Sequence, residues 1–150
     1  MHFKMKFLLP AALLAASVGA ASAATCEAVV ESNDAMKYNV SEIAIDKSCK
    51  KFTVTLKHVG KQPKAAMGHN WVLTKAADQA GVNADGIKAG AGKDYLPAGD
   101  ARVIAATKLI GGGETTSVSF DTSKLKSGEK YVFFCSFPGH SGLMKGTIKF

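Results

Sequence analysis

Tyr131-Val132-Phe133-Phe134-Cys135-Ser136-Phe137-Pro138-Gly139-His140-Ser141-Gly142-Leu143-Met144 is the stretch on which the reading of this chain turns. Its apolar, aromatic opening reads as a strand from Tyr131 to Cys135. Pro138-Gly139 marks a tight turn, and a last strand runs from Leu143 to Phe150. One short loop between two strands therefore carries a thiol, an imidazole and a thioether. These are soft or borderline donors, which suit copper rather than magnesium or calcium, whose ligands are oxygens. A cysteine with two histidines and a weak axial methionine is the donor set of a blue-copper centre, so the loop lacks only a second imidazole.

Besides His140 the chain has three histidines to supply it, and His2 lies in a leader-like segment. His69 stands in Met67-Gly68-His69-Asn70-Trp71, at the entrance to a strand. Gly68 lets the backbone approach a neighbour closely, so its carbonyl can face a metal. Asn70 is placed to hydrogen-bond the cysteine loop and hold the ligands in position. His58, at the end of a strand before Val59-Gly60, is the weaker candidate and reads as a structural histidine. Taken singly, Cys135 would be a buried core cysteine and Met144 core packing. Their spacing around His140 is what reverses that reading.

Outward from this loop the chain reads mostly as strands. Phe52, Val54 and Leu56 alternate with Thr53, Thr55 and Lys57, the period of a half-buried strand. Similar patterns cover Val40 to Ile45, Trp71 to Leu73, Val103 to Thr107 and Thr116 to Phe120, and Gly60, Gly111-Gly112-Gly113 and Ser127-Gly128 punctuate them. Seven or eight short strands imply an all-β fold, a two-sheet antiparallel sandwich with Greek-key crossings. The region from Lys75 to about Asp100 breaks this rhythm. It reads as an inserted flap with a short helix, since Gly81, Gly86, Gly90 and Gly92 weaken any long one.

With 150 residues, the chain has room for one ordinary domain. An apolar share of 47% against 21% charged argues against disorder. Three cysteines are too few for a four-thiolate zinc or iron–sulfur site, and no Cys-x-x-Cys-His is present for haem attachment. The net charge of +7 comes from scattered lysines without a basic, aromatic-studded stripe, which gives no sign of nucleic-acid binding.

Residues 1–23 read as a secretory signal peptide. Lys4 and Lys6 form its basic start, Phe7 to Ala20 its apolar centre, and Ala21-Ser22-Ala23 its small-x-small end. Pro10 and Gly19 interrupt the apolar run, which is shorter than the roughly 20 residues a membrane span needs. Cleavage after Ala23 leaves a single domain, residues 24–150, expected to be exported and soluble. In an oxidising compartment Cys26 and Cys49 can pair as an exposed staple and leave Cys135 free, although the other two pairings remain open on the sequence.

Over essentially the whole mature chain the sequence resembles the azurins, blue-copper electron carriers of the bacterial periplasm within the cupredoxin family. The resemblance rests on Asp46-Lys47-Ser48-Cys49-Lys50, on Met67 to Leu73, on Arg102-Val103-Ile104-Ala105 and on Thr107-Lys108-Leu109-Ile110-Gly111. It continues through Phe133-Phe134-Cys135, Phe137-Pro138-Gly139-His140 and Met144-Lys145-Gly146-Thr147. It implies an eight-stranded Greek-key cupredoxin sandwich or barrel with a short helical flap, and one type 1 copper ion. His69, Cys135 and His140 would hold that ion, with Met144 and the Gly68 carbonyl as long axial ligands. It also implies a Cys26–Cys49 disulfide, a buried Trp71, a His58 that lies near the site without binding metal, and an apolar docking patch of Met36, Met67, Ile87, Phe137, Pro138, Gly139 and Leu143. The expected partners are redox proteins, such as c-type cytochromes or periplasmic reductases and dehydrogenases, met by a monomer. Gln62 and Ala106 depart from the resemblance, where many azurins carry leucine and some a surface histidine, and neither touches the ligands.

Three rival functions are weaker. Cys135 acting as a nucleophile with His140 as base conflicts with its apolar setting. A multicopper oxidase needs more histidines than the mature chain has. A copper store would share the ligands but not rapid electron exchange. Zinc is a rival for the site, although the affinity order places Cu(II) above it.

Overall fold

The alternation around Val54 is realised directly. In β3 (Lys51–His58) Phe52, Val54 and Leu56 are buried, while the intervening residues lie toward solvent. The computed structural model describes residues 22–150, so the expected leader falls outside them except for Ser22 and Ala23. Eight strands are present among the described residues. Besides β3 they are β1 (Glu27–Ser32), β2 (Glu42–Ala44), β4 (Val72–Lys75), β5 (Ala105–Ala106), β6 (Thr115–Asp121), β7 (Tyr131–Phe134) and β8 (Lys145–Lys149). They form two sheets, ordered β1-β3-β6 and β2-β8-β7-β4-β5, that face each other as a sandwich rather than closing into a barrel.

Two pairings correct the all-antiparallel expectation: β1 runs parallel to β3, and β2 parallel to β8. Parallel neighbours need a crossover between them. Here β2, which lies in the opposite sheet, is the crossover between β1 and β3. Strand β1 is also the strand the sequence pattern passes over. Val29 is about half exposed beside the fully buried Val30, which spoils a clean alternation.

The core lies between the sheets. Val30, Phe52, Val54, Leu56 and Phe120 come from one sheet and meet Leu73, Tyr131, Phe133 and Ile148 from the other, with Trp71 at the entrance to β4. The Trp71 ring stacks 5.7 Å from Phe133 and 6.3 Å from Phe120, between the layers. Burying each such side chain stabilises the fold by about 2 kcal/mol. The indole nitrogen of Trp71 has no hydrogen-bond partner among the described residues, so its pocket is apolar. Cys26 and Cys49 are disulfide-bonded, tying the start of β1 to the turn before β3. The bridge is not the exposed staple expected, because Cys49 is only 2% exposed.

Two α-helices join the strands among the described residues, α1 (Lys64–Met67) and α2 (Gln79–Ala89). The flap is more helical than its glycines suggest, since α2 runs for 11 residues. Gly86 is there for packing. A Cβ at that position would stand 2.1 Å from the Tyr95 carbonyl oxygen, so tertiary contact outweighs the propensity cost. Val82 fixes the flap to the sheet by packing on Val72 and Phe134, and the Arg102 guanidinium bonds Asp85 at 2.8 Å.

Candidate metal centre

Strand pairing delivers the residues. In the β4–β7 register Val72 lies opposite Phe134, so the segment entering β4 and the segment leaving β7 come together at one end of the sandwich. His69 is pinned there by reciprocal backbone hydrogen bonds with Ile110, each 2.9 Å. Its Nε2 lies 2.8 Å from the Asn33 carbonyl oxygen. A carbonyl only accepts, so Nε2 carries the proton and Nδ1 keeps a free lone pair. That Nδ1 is 3.8 Å from the Cys135 sulfur, and the His140 Nδ1 is 3.6 Å from it on another side. The three ligand atoms all lie within 4.8 Å of one another, and all three residues are buried.

The other expected site residues lie on the same segments as this triad. The Gly68 carbonyl oxygen is 3.9 Å from the Cys135 sulfur. Any Cβ on Gly68 would press to 2.6 Å from the Lys64 carbonyl oxygen and 3.0 Å from Leu109, so the glycine is what lets this segment pass under α1. Met144 is fully buried at the far end of the loop, its amide bonded to the His140 carbonyl at 2.8 Å. Asn70 does what its position suggested. Its side-chain oxygen accepts the Ser136 amide at 2.8 Å, and its NH₂ donates to the Ser136 hydroxyl at 2.8 Å and the Asp94 carbonyl at 3.0 Å.

His58 is spoken for. Its Nε2 meets the Met67 carbonyl at 2.8 Å, its Nδ1 accepts the Gly60 amide at 3.1 Å, and its ring stacks on His69 at 4.5 Å. Both nitrogens are used by the backbone, which leaves none for a metal. Of the expected docking patch, Leu143 and Ile87 are 68% and 42% exposed. Pro138 and Gly139 are exposed, Met36 and Met67 half-buried, and the Phe137 ring lies 4.5 Å from that of His140.

The electrostatics suit a soft cation. Burial pushes the His69 imidazole down to about 4 and lowers His140 as well, so both rings are neutral lone-pair donors at pH 7. Burial pushes the Cys135 thiol up to about 12, against the opposing pull of the Asn70 and Phe137 amides. A thiol so protonated and so enclosed is a poor nucleophile. A thiophilic metal would complete the site, held by Cys135 as the thiolate. Neutral imidazoles and a buried sulfur with no carboxylate among the clustered groups fit copper.

The contacts that sequence reasoning missed are mostly backbone ones. The Asn33 and Met67 carbonyls that orient His69 and His58 leave no residue-type signal at all. Gln79 and Tyr95, which reach the ligand loop from the flap, are ordinary residues within a segment read only as an insertion.

The family described as copper binding proteins, plastocyanin/azurin family, matches residues 24–150. The azurin of Achromobacter denitrificans is 63% identical over 146 residues, covering 95% of this chain and 98% of its own. Azurin-2 of Alcaligenes xylosoxydans xylosoxydans is 66% identical over 126 residues, 84% of this chain and 98% of its own. The azurin of Pseudomonas aeruginosa is 60% identical over 126 residues, 84% of this chain and 85% of its own. The buried thiol between two neutral imidazoles is thus a type 1 copper site, and the chain belongs to the plastocyanin/azurin family of copper-binding proteins.

Proposed function

We propose that this protein is an electron carrier of the bacterial periplasm, not an enzyme, and that it exchanges single electrons with redox proteins. The observation that carries the reading is the Cys135 sulfur set 3.8 Å and 3.6 Å from two imidazole nitrogens inside a buried pocket. His69, Cys135 and His140 would hold the copper, with Met144 and the Gly68 carbonyl as weaker donors. Copper so held supplies one-electron chemistry between its cuprous and cupric states.

The chain's own part is to keep the donors still and dry. His69 is fixed by Ile110 and Asn33, and Ser136, next to the sulfur ligand, by Asn70. Donors held this way change position little when the metal charge changes, which lowers the cost of each transfer. The surrounding apolar side chains exclude water and tune the potential. His140 is the ligand nearest the surface, with Phe137 against its ring and Pro138, Gly139 and Leu143 exposed beside it. Together with Met36, Met67 and Ile87 these form the proposed docking face for c-type cytochromes or periplasmic reductases and dehydrogenases. Export with cleavage after Ala23 is supported by a family match that begins at residue 24. The relatives named azurin support the carrier role.

The test is copper titration followed by optical and paramagnetic-resonance spectroscopy and voltammetry. The wild type should gain an intense visible sulfur-to-copper absorption and a reversible one-electron wave, and Cys135→Ser should lose both. Reversible binding without rapid electron exchange would instead mark a copper store. Met67→Lys should slow self-exchange while leaving the spectrum unchanged, and unchanged exchange would remove the proposed docking face.

A further inference from the structure

The flap touches the ligand loop directly at two places and reaches it at a third through Asn70, and the expected copper chemistry uses none of these contacts. At the first residue of α2 the Gln79 Nε2 donates to the carbonyl oxygen of Ser141, directly after His140, at 3.3 Å. Beyond α2 the Tyr95 ring meets Phe137 edge-on, centroids 5.3 Å apart and planes at 72°. Phe137 in turn lies 4.5 Å from His140. Between these, the Asp94 carbonyl accepts from Asn70, which holds Ser136.

The backbone that presents Tyr95 is unusual. Asp94 and Tyr95 both sit in the left-handed region, at φ 55° and 54°, a conformation that side chains adopt only where surrounding contacts enforce it. Gly86 is one of those enforcing contacts, since only a residue without Cβ leaves room for the Tyr95 carbonyl against α2. The flap is itself anchored to the sheet through Val82 and the Arg102–Asp85 pair. By contrast, the loop's own restraints near His140 are three turn bonds, from the His140 amide to Phe137 and from the Leu143 and Met144 amides to His140.

We propose that the flap is a brace for the ligand loop, with Gln79 and Tyr95 as positioning residues that set His140. The sheet holds α2, and α2 and its following turn hold Ser141 and Phe137, which lie on either side of His140 in the chain, the Phe137 ring against the imidazole. The inference rests on the copper-site reading for its consequence, namely slow metal loss, but its mechanical part is independent of metal. Asn70 belongs to the fixed end of the loop beside Cys135, whereas Gln79 and Tyr95 govern the His140 end.

The experiment compares the wild type with Gln79→Glu, which keeps the shape but removes the donor, and with Tyr95→Ala and Tyr95→Phe. Amide hydrogen exchange is followed in metal-free and copper-loaded protein, along with the rate at which a chelator strips copper. Loss of an edge-on ring contact or of one hydrogen bond should speed exchange of the Leu143 and Met144 amides about tenfold. The Val54 and Leu56 amides should keep their rates. Copper loss should accelerate in Gln79→Glu and Tyr95→Ala, and Tyr95→Phe should restore the wild-type values. Wild-type rates at Leu143 and Met144 in Tyr95→Ala, or acceleration shared equally with Val54 and Leu56, would overturn the brace. A failed copper reading shows separately, as a wild type that never turns blue, and the metal-free exchange data still decide the brace.

Discussion

Replacing Asn70 by leucine removes a set of hydrogen bonds at nearly constant side-chain volume, which makes the cost calculable. The Ser136 amide loses its only acceptor in a fully buried site, a penalty of about 2 kcal/mol. The Ser136 hydroxyl can turn and the half-buried Asp94 carbonyl can reach water, so losing those two bonds adds about 1 kcal/mol. At roughly 2.1 cal/mol/K per residue, a domain of this size unfolds with an entropy of about 0.27 kcal/mol/K. A total near 3 kcal/mol therefore lowers the melting temperature by about 10 °C. Differential scanning calorimetry of the metal-free protein reads this directly, free of any stabilisation by ligand. The copper-loaded variant should fall further, because a loosened Cys135 binds metal less tightly and copper then stabilises the fold less. A drop of less than about 3 °C in the metal-free variant would refute the assignment of Asn70 as the tie between the two ligand segments.

Acid should weaken the metal-free fold through His69. The folded imidazole stays neutral down to about pH 4, whereas the unfolded one takes up a proton below its ordinary 6.5, so stability is full above that value and declines as pH falls toward about 4. The window of about 2.5 pH units corresponds to roughly 3 kcal/mol. Urea midpoints measured at pH 7, 5.5 and 4 should show the decline, and His69→Leu should make it shallower, leaving the part that the buried His140 contributes; an equal decline in that variant would assign the effect elsewhere. Removing the Cys26–Cys49 bridge by a double alanine substitution opens a loop with a sequence separation of 23. The chain-entropy cost is about 3 kcal/mol, or a melting temperature lower by roughly 10 °C, and a change within 3 °C would show that the bridge constrains the unfolded chain far less than its span implies.

Much of this is legible in the sequence, and for a physical reason. Cys135, His140 and Met144 are close in sequence and chemically distinctive, so their spacing alone announces a soft-metal loop. Strand β3 was legible because each buried side chain alternates with a polar one. Strand β1 was not, since Val29 faces out beside Val30. The parallel pairings escaped notice because period-two patterns record which face is buried and say nothing of strand direction. The length of α2 escaped as well. Gly86 reads locally as a helix breaker, and the Tyr95 carbonyl that requires it lies beyond the helix in sequence and meets it only in the folded chain.

The link between His69 and the cysteine loop is the deepest of these non-local facts, and it follows from one register. With Val72 opposite Phe134, extending the antiparallel pairing outward sets Trp71 against Cys135 and Asn70 against Ser136. The Asn70–Ser136 hydrogen bonds are therefore the continuation of the β4–β7 ladder by side-chain means, beyond the point where the backbone strands separate. A slip of one residue would turn every side chain of β7 to the opposite face. It would send Phe133 out of the core and the Cys135 sulfur away from both imidazoles. The packing of Trp71 on Phe133 and the assembly of the ligand triad are thus consequences of the same pairing, so the fold cannot bury its aromatic core in this register without also building the copper site.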